Sequence, residues 1–168
     1  MTYLYLGGIN NMEKKLIMYY SYSNNTKKIA EQIQKSTGAD IFEIKTVKAY
    51  SSDYNVVVDQ GKDEIDRGYR PKIKPIPVNL SDYNTIILGT PVWWYTYAPA
   101  VATLLSEYDL SGKKIIPFVT NGGWIGHTIK DIERNCKNSK VINAIDIGFN
   151  RSKMTLSEAK LKKWIDSL

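Results

Sequence analysis

Every residue of the run Ser21-Tyr22-Ser23-Asn24-Asn25-Thr26 carries a hydroxyl or an amide. The run follows the apolar stretch Leu16-Ile17-Met18-Tyr19-Tyr20 and leads into Lys27-Lys28-Ile29-Ala30, where an amphipathic pattern begins. A strand that turns straight into a helix through such residues suits an anion, phosphate first. The unsatisfied N–H groups of the first helical turn point outward, the helix dipole favours negative charge, and the hydroxyls add donors. The same residue types also make ordinary caps and turns. The reading therefore depends on whether other loops at the same sheet edge carry a site. The sequence contains neither Gly-x-x-x-x-Gly-Lys-Ser/Thr nor Gly-x-Gly-x-x-Gly, which excludes a Walker loop and the dinucleotide fingerprint.

Two further segments have unusual chemistry. Pro91-Val92-Trp93-Trp94-Tyr95 opens a stretch in which Trp93, Trp94, Tyr95 and Tyr97 crowd together without an acid or a strong base. Aromatic faces of this kind stack on a planar ring, each contact giving about 0.5–1.5 kcal/mol beyond area burial. The alternative is that the rings fill core beneath the following helix. The third segment is Thr120-Asn121-Gly122-Gly123-Trp124-Ile125-Gly126-His127. Paired glycines let a backbone approach a ligand closely and adopt positive φ, so their N–H groups could bond the edge of a flat heterocycle. The plain alternative is a turn that needs glycine.

These loops must be positioned by strands and helices, and the pattern supplies them in alternation. Strands are expected at about residues 14–21, 40–46, 85–89, 114–120 and 141–148. Between them the pattern predicts helices at about 26–36, with Ile29, Ala30 and Ile33 inward, at 53–67, from Pro99 onward, and at 127–135. A last helix follows a capping-box pattern, Thr155-Leu156-Ser157-Glu158, with Leu161, Trp164, Ile165 and Leu168 as its apolar stripe. The expected fold class is α/β: a doubly wound, five-stranded parallel sheet in the order 2-1-3-4-5. In such a sheet ligands bind beyond the carboxyl ends of the strands, at the switch point between strands one and three. That rule brings the three loops together as phosphate, ring-face and ring-edge contacts.

Composition narrows the class. A chain of 168 residues suits one domain. No apolar run approaches the roughly 18 residues of a membrane span, and the start lacks the pattern of a secretion signal. Cys136 stands alone, which excludes an internal disulfide and fits a reducing cytoplasm. One His and one Cys argue against a dedicated transition-metal site. The net charge of +6 is spread over the chain instead of forming a dense patch interleaved with aromatics, so neither nucleic acid nor membrane is expected as a partner. Residues 1–12 read as an N-terminal extension and 13–168 as the domain; Gly7-Gly8 ahead of Met12 suggests that translation starts at Met12. The intact mass of the native protein checks that expectation.

The pattern Ser/Thr-x-Ser/Thr-x-x-Ser/Thr-x-x-x-Ala is matched by Ser21, Ser23, Thr26 and Ala30. With Gly89-Thr-Pro-Val-Trp-Trp-Tyr-Thr96 and Thr120-Asn-Gly-Gly123, the chain resembles the flavodoxin-like FMN-binding family, its small bacterial branch above all, over about residues 14–168. The resemblance implies a flavodoxin-like three-layer sandwich and FMN held without a covalent bond. It implies that Ser21, Ser23 and Thr26, with backbone N–H groups of Tyr22, Ser23, Asn24, Asn25 and Thr26, hold the phosphate. Pro91, Val92, Trp93, Trp94 and Tyr95 would line the ribityl chain and one side of the ring. Thr120, Asn121, Gly122 and Gly123 would meet the other side or the ring edge, with Trp124 and His127 near its opening. Strand five is expected to pass directly into the last helix, without the insertion of long-chain members.

Electron-carrier flavodoxins are typically acidic, whereas this chain is basic and its two ring loops lack Asp and Glu. Without acidic repulsion, full two-electron reduction becomes easier and a stable one-electron carrier state less favoured. The resemblance thus implies an oxidoreductase passing electrons from NAD(P)H to a quinone, nitro or azo acceptor. The alternative is a flavodoxin-type carrier between protein partners, and a third reading is a module of the same fold without FMN. No catalytic residue is assigned, and family analogy leaves a homodimer open.

Overall fold

A computed structural model describes residues 12–168; the expectation about a start at Met12 lies outside the described residues. The sheet is built from strands whose side chains are buried on both faces, as parallel strands between helical layers must be. In β1 (Lys15–Tyr19), Leu16 and Met18 face one core while Ile17 and Tyr19 face the other. β2 (Asp40–Glu43) lies at the edge and is less buried. β3 (Thr85–Trp93) and β5 (Lys114–Asn121) continue the sheet in parallel, with Leu16 opposite Ile86 and Ile86 opposite Ile115. β7 (Ile145–Asn150) completes the five long parallel strands.

Three two-residue strands extend this set: β4 (Thr96–Tyr97) on β3, β6 (Lys140–Val141) on β5 and β8 (Lys153–Met154) on β7. The order β2-β1-β3-β5-β7-β8 contains the doubly wound 2-1-3-4-5 arrangement expected of the long strands. Helices α1 (Asn25–Thr37) and α5 (Glu158–Ile165) cover one face, where Ile29, Ile33, Phe118, Leu161 and Trp164 pack together. α3 (Pro99–Glu107) and α4 (Thr128–Asn135) cover the other with Val101, Leu104 and Ile132. α2 (Tyr54–Asp66) packs against α3. Pro99 occupies the first turn of α3, and Gly38 closes α1 at φ 69°, as the sequence indicates.

The end of the chain departs from expectation in three ways. The expected strand 141–148 is broken into β6 and β7 at Asn143, which takes φ 52° and accepts a hydrogen bond from Trp164 Nε1 at 2.7 Å. β7 then does not pass directly into the last helix: it turns through Arg151 and Ser152 and pairs back as β8. The expected capping box is displaced as well. The Thr155 N–H bonds the Gly148 carbonyl at 2.8 Å and so prolongs the hairpin, and the Ser157 hydroxyl caps α5 by accepting from the Lys160 N–H.

Candidate functional site

At the carboxyl ends of β1, β3 and β5 the sheet opens into a cavity of about 820 Å³. Ten of the fifteen residues singled out from sequence line it: Tyr22 and Ser23 from the turn before α1 and Asn25 at its start, Pro91, Val92, Trp93 and Trp94 from β3 and its loop, and Thr120, Asn121 and Gly122 from β5 and its loop.

The turn before α1 is shaped by its own side chains. Asn24 takes φ 68° and supplies no side-chain cap, so the first turn of α1 keeps N–H groups for another partner. Ser21 Oγ accepts the Lys27 N–H at 3.2 Å, and the Tyr22 hydroxyl donates to the Ser51 carbonyl at 2.7 Å. Thr26 is buried, and its hydroxyl shares a 2.7 Å hydrogen bond with the Thr120 hydroxyl. That bond fixes the start of α1 to the end of β5. Ser21, Asn24 and Thr26 therefore frame the turn without lining the cavity themselves.

The aromatic segment divides in two. Trp93 turns inward and meets Tyr50, Tyr20 and Tyr22 edge-on, at ring-centre distances of 4.9, 5.9 and 6.1 Å. Gly61 of α2 allows this, because a Cβ there would stand 2.9 Å from Trp93 Cε3. Behind the rings, buried Glu64 accepts from the Tyr50 hydroxyl at 2.6 Å and from Gln60 Nε2 at 2.8 Å. Burial, and then this carboxylate, push the Tyr50 hydroxyl well above its ordinary pKa, so it stays a donor.

Trp94 and Tyr95 turn outward. Both have positive φ, 45° and 72°, and with Val92, Gly122, Gly123 and Trp124 they line an adjoining open cleft of about 420 Å³. Tyr95 and Trp124 touch with ring centres 5.0 Å apart, and Trp124 remains 67% exposed. The loop is held from several sides. Trp94 Nε1 donates to the Val58 carbonyl at 2.9 Å, the His127 N–H donates to the Tyr95 carbonyl at 2.8 Å, and the Thr96 hydroxyl donates to Asp131 Oδ2 at 2.6 Å. Asp131 also receives His127 Nδ1 and, at 2.8 Å, Arg134 Nη2. Gly126, at φ 57°, makes this closeness feasible, since a Cβ would lie 2.3 Å from the Tyr95 carbonyl oxygen.

Seven lining residues escape the sequence reading: Tyr54, Val57, Val58 and Gly61 from α2, and Phe149, Arg151 and Ser152 from the β7–β8 hairpin. The run Val56-Val57-Val58 is a signal of a kind, because β-branched residues crowd a helix and are placed there for what they touch. The hairpin offers no such signal.

Backbone strain marks the same place. Six described non-glycine residues have positive φ. Three are asparagines, which tolerate it; the others, Trp94, Tyr95 and Arg151, all line one of the two cavities. No Asp or Glu lines either cavity, and Arg151 is the charged residue among their walls. Among the described residues no three His, Cys, Asp or Glu side chains are placed to hold a metal ion. Cys136 is buried, which pushes its thiol up to about 11 and leaves it inert.

The family model for flavodoxin matches residues 14–168. A Bacteroides eggerthii protein assigned as a flavoprotein superposes with TM-score 0.75 at 25% identity, over 92% of this chain and 96% of that one. A flavoprotein from Lactobacillus acidophilus, solved in complex with FMN, gives 0.73 at 24% identity, over 90% and 98%. Among curated proteins none matches. The match over nearly all of the described residues, on a sheet whose switch point carries all three loops, places the chain in the flavodoxin family.

Proposed function

We propose that this protein binds FMN and acts as an oxidoreductase, taking electrons from NAD(P)H and passing them to a quinone, nitro or azo acceptor. One observation carries the reading: a single cavity is lined by hydroxyl and amide groups and a free helix start on one side and by aliphatic and aromatic side chains on another. Its volume, about 820 Å³, falls in the usual range of small-ligand sites. The residues fit the group. Ser23, Asn25 and the first N–H groups of α1 would take the phosphate, with Ser21, Asn24 and the Thr26–Thr120 bond holding the turn in shape. Pro91, Val92, Trp93 and Trp94, facing Val57 and Val58, would flank the ribityl chain and ring. Asn121, Gly122 and Gly123 would meet the ring edge, and Tyr95 would stand at the open side. The FMN complex of the Lactobacillus acidophilus flavoprotein supports this assignment.

Bound FMN would supply the electron transfer, and the chain would supply position, water exclusion and electrostatics. Walls without a carboxylate favour the enzyme over the carrier, because no fixed negative charge opposes full reduction. The exposed rim of Tyr95 and Trp124 gives the carrier reading its own support, as a docking surface for a protein partner. An anaerobic titration of the FMN-loaded protein separates them. Bleaching by NAD(P)H alone is expected. Reduction only through a partner reductase would establish the carrier, and a colourless protein that ignores added FMN would remove both.

A further inference from the structure

We infer that Arg151 is a phosphate-binding and specificity residue of the FMN site, selecting the phosphorylated flavin over riboflavin; this rests on the FMN reading. Arg151 lies at the tip of the β7–β8 hairpin and lines the large cavity beside Ser152. The hairpin is fastened to the first residue of α1, because Asn25 Nδ2 donates to the Arg151 carbonyl at 2.8 Å. A cation is thereby delivered next to the loop that would receive a dianionic group. Lys27, a second cation near this loop, is directed elsewhere and pairs with Glu31 at 3.9 Å along α1. Among the described residues no carboxylate lies within ion-pair distance of Arg151.

The backbone gives a second, independent reason. Arg151 takes φ 55° in a two-residue hairpin turn, a conformation that Gly or Asn would adopt with less strain. Its side chain is exposed, and among the described residues no hydrogen bond or ion pair holds it, so no contact within the fold accounts for an arginine at this turn. Its guanidinium is suited to a phosphate, since it offers planar, paired N–H donors that are always charged.

The test is a fluorescence titration of wild type, R151Q and R151G with FMN and with riboflavin, at low and high salt. R151Q is expected to weaken FMN binding about tenfold or more, the range of a charge-assisted hydrogen bond, and to leave riboflavin binding within about twofold. The salt dependence of FMN binding should shrink in parallel. R151G should lose FMN affinity to the same degree while the melting temperature of the flavin-free protein holds or rises, because glycine accepts the turn without strain. A merely structural arginine would move both quantities together. An unchanged FMN-to-riboflavin ratio in R151Q, or an equal loss of both flavins, overturns the role of Arg151 and leaves the FMN reading standing. A wild-type protein that binds neither flavin defeats the FMN reading itself.

Discussion

The two ends of the sheet are built on opposite terms. At the amino ends of the strands the chain closes on itself. Glu13 accepts from the Thr85 hydroxyl and, at 2.9 Å, from Lys114 Nζ; the Tyr83 hydroxyl donates to Asp40 at 2.7 Å; Lys113 Nζ donates to the Tyr83 carbonyl at 2.7 Å. Where this end needs positive φ it uses Gly112 and Asn138, joined by a 2.7 Å backbone hydrogen bond. At the carboxyl ends the same conformation falls on Trp94, Tyr95 and Arg151 as well as on Asn24 and Gly126, and large rings stand in solvent. Sparsely populated backbone of this kind costs on the order of 1–3 kcal/mol per residue and persists only when its surroundings hold it. One end of the sheet is optimised for closure. The other is held open by neighbours, and the clamp formed by Asp131, Gly126 and the Thr26–Thr120 bond is what holds it.

That contrast can be broken most forcefully at Gly126. G126A sets a Cβ against the Tyr95 carbonyl oxygen, 2.3 Å away, in addition to the positive-φ penalty. A loss of about 3 kcal/mol or more is expected by denaturant unfolding, combining overpacking with strain. G112A is the control from the closed end: its φ is 75° but nothing lies within 4 Å of the added Cβ. It should lose only about 1 kcal/mol. Equal losses would show that the Tyr95 loop yields freely and that no clamp exists.

A smaller effect is expected at the floor of the site. T26V leaves the Thr120 hydroxyl buried without its partner, which costs about 1–3 kcal/mol. The double variant T26V/T120V removes both hydroxyls and should be less destabilised than the sum of the two single variants. Additive losses would mean that the two threonines do not act as a pair.

How much of this is legible in the sequence follows from how local each cause is. The inward set of α1 (Ile29, Ala30 and Ile33), its glycine stop and the first-turn Pro99 depend on near neighbours, and the residues alone indicate them. The three strand-end loops are legible because a doubly wound sheet has only one switch point for them to share. Trp93 and Trp94 look equivalent in sequence, yet β3 runs on to Trp93 and packs it, half-buried, against Tyr20, Tyr22 and Tyr50, while the turn sends Trp94 outward. The contribution of α2 depends on where the helix lies beside the cavity; the β-branched run Val56-Val57-Val58 signals a contact but not the surface it meets. The β7–β8 hairpin lacks an Asn-Gly or Asp-Gly signature, because its first turn position is held by Arg151. The strongest turn signal is therefore missing where the proposed phosphate contact stands.

The smallest expected effect lies at the closed end and sharpens the contrast from the other side. The Thr85 hydroxyl, followed by Lys114, holds the Glu13 carboxyl below its ordinary pKa. A depressed carboxylate contributes stability that is present above its unfolded pKa and is lost as pH falls through the folded one. Both partners of the ion pair are substantially exposed, 50% for Lys114 and 37% for Glu13, so solvent screening keeps its share to at most about 0.5 kcal/mol. E13Q should therefore destabilise the protein slightly at neutral pH, by thermal or urea unfolding. The gap from wild type should narrow once acid has protonated Glu13 in the folded state. High salt should narrow the gap at neutral pH too, leaving the part that belongs to the Thr85 hydrogen bond. A gap that widened on acidification would mean that Glu13 is strained in its ionised form, and closure at this end would need another cause.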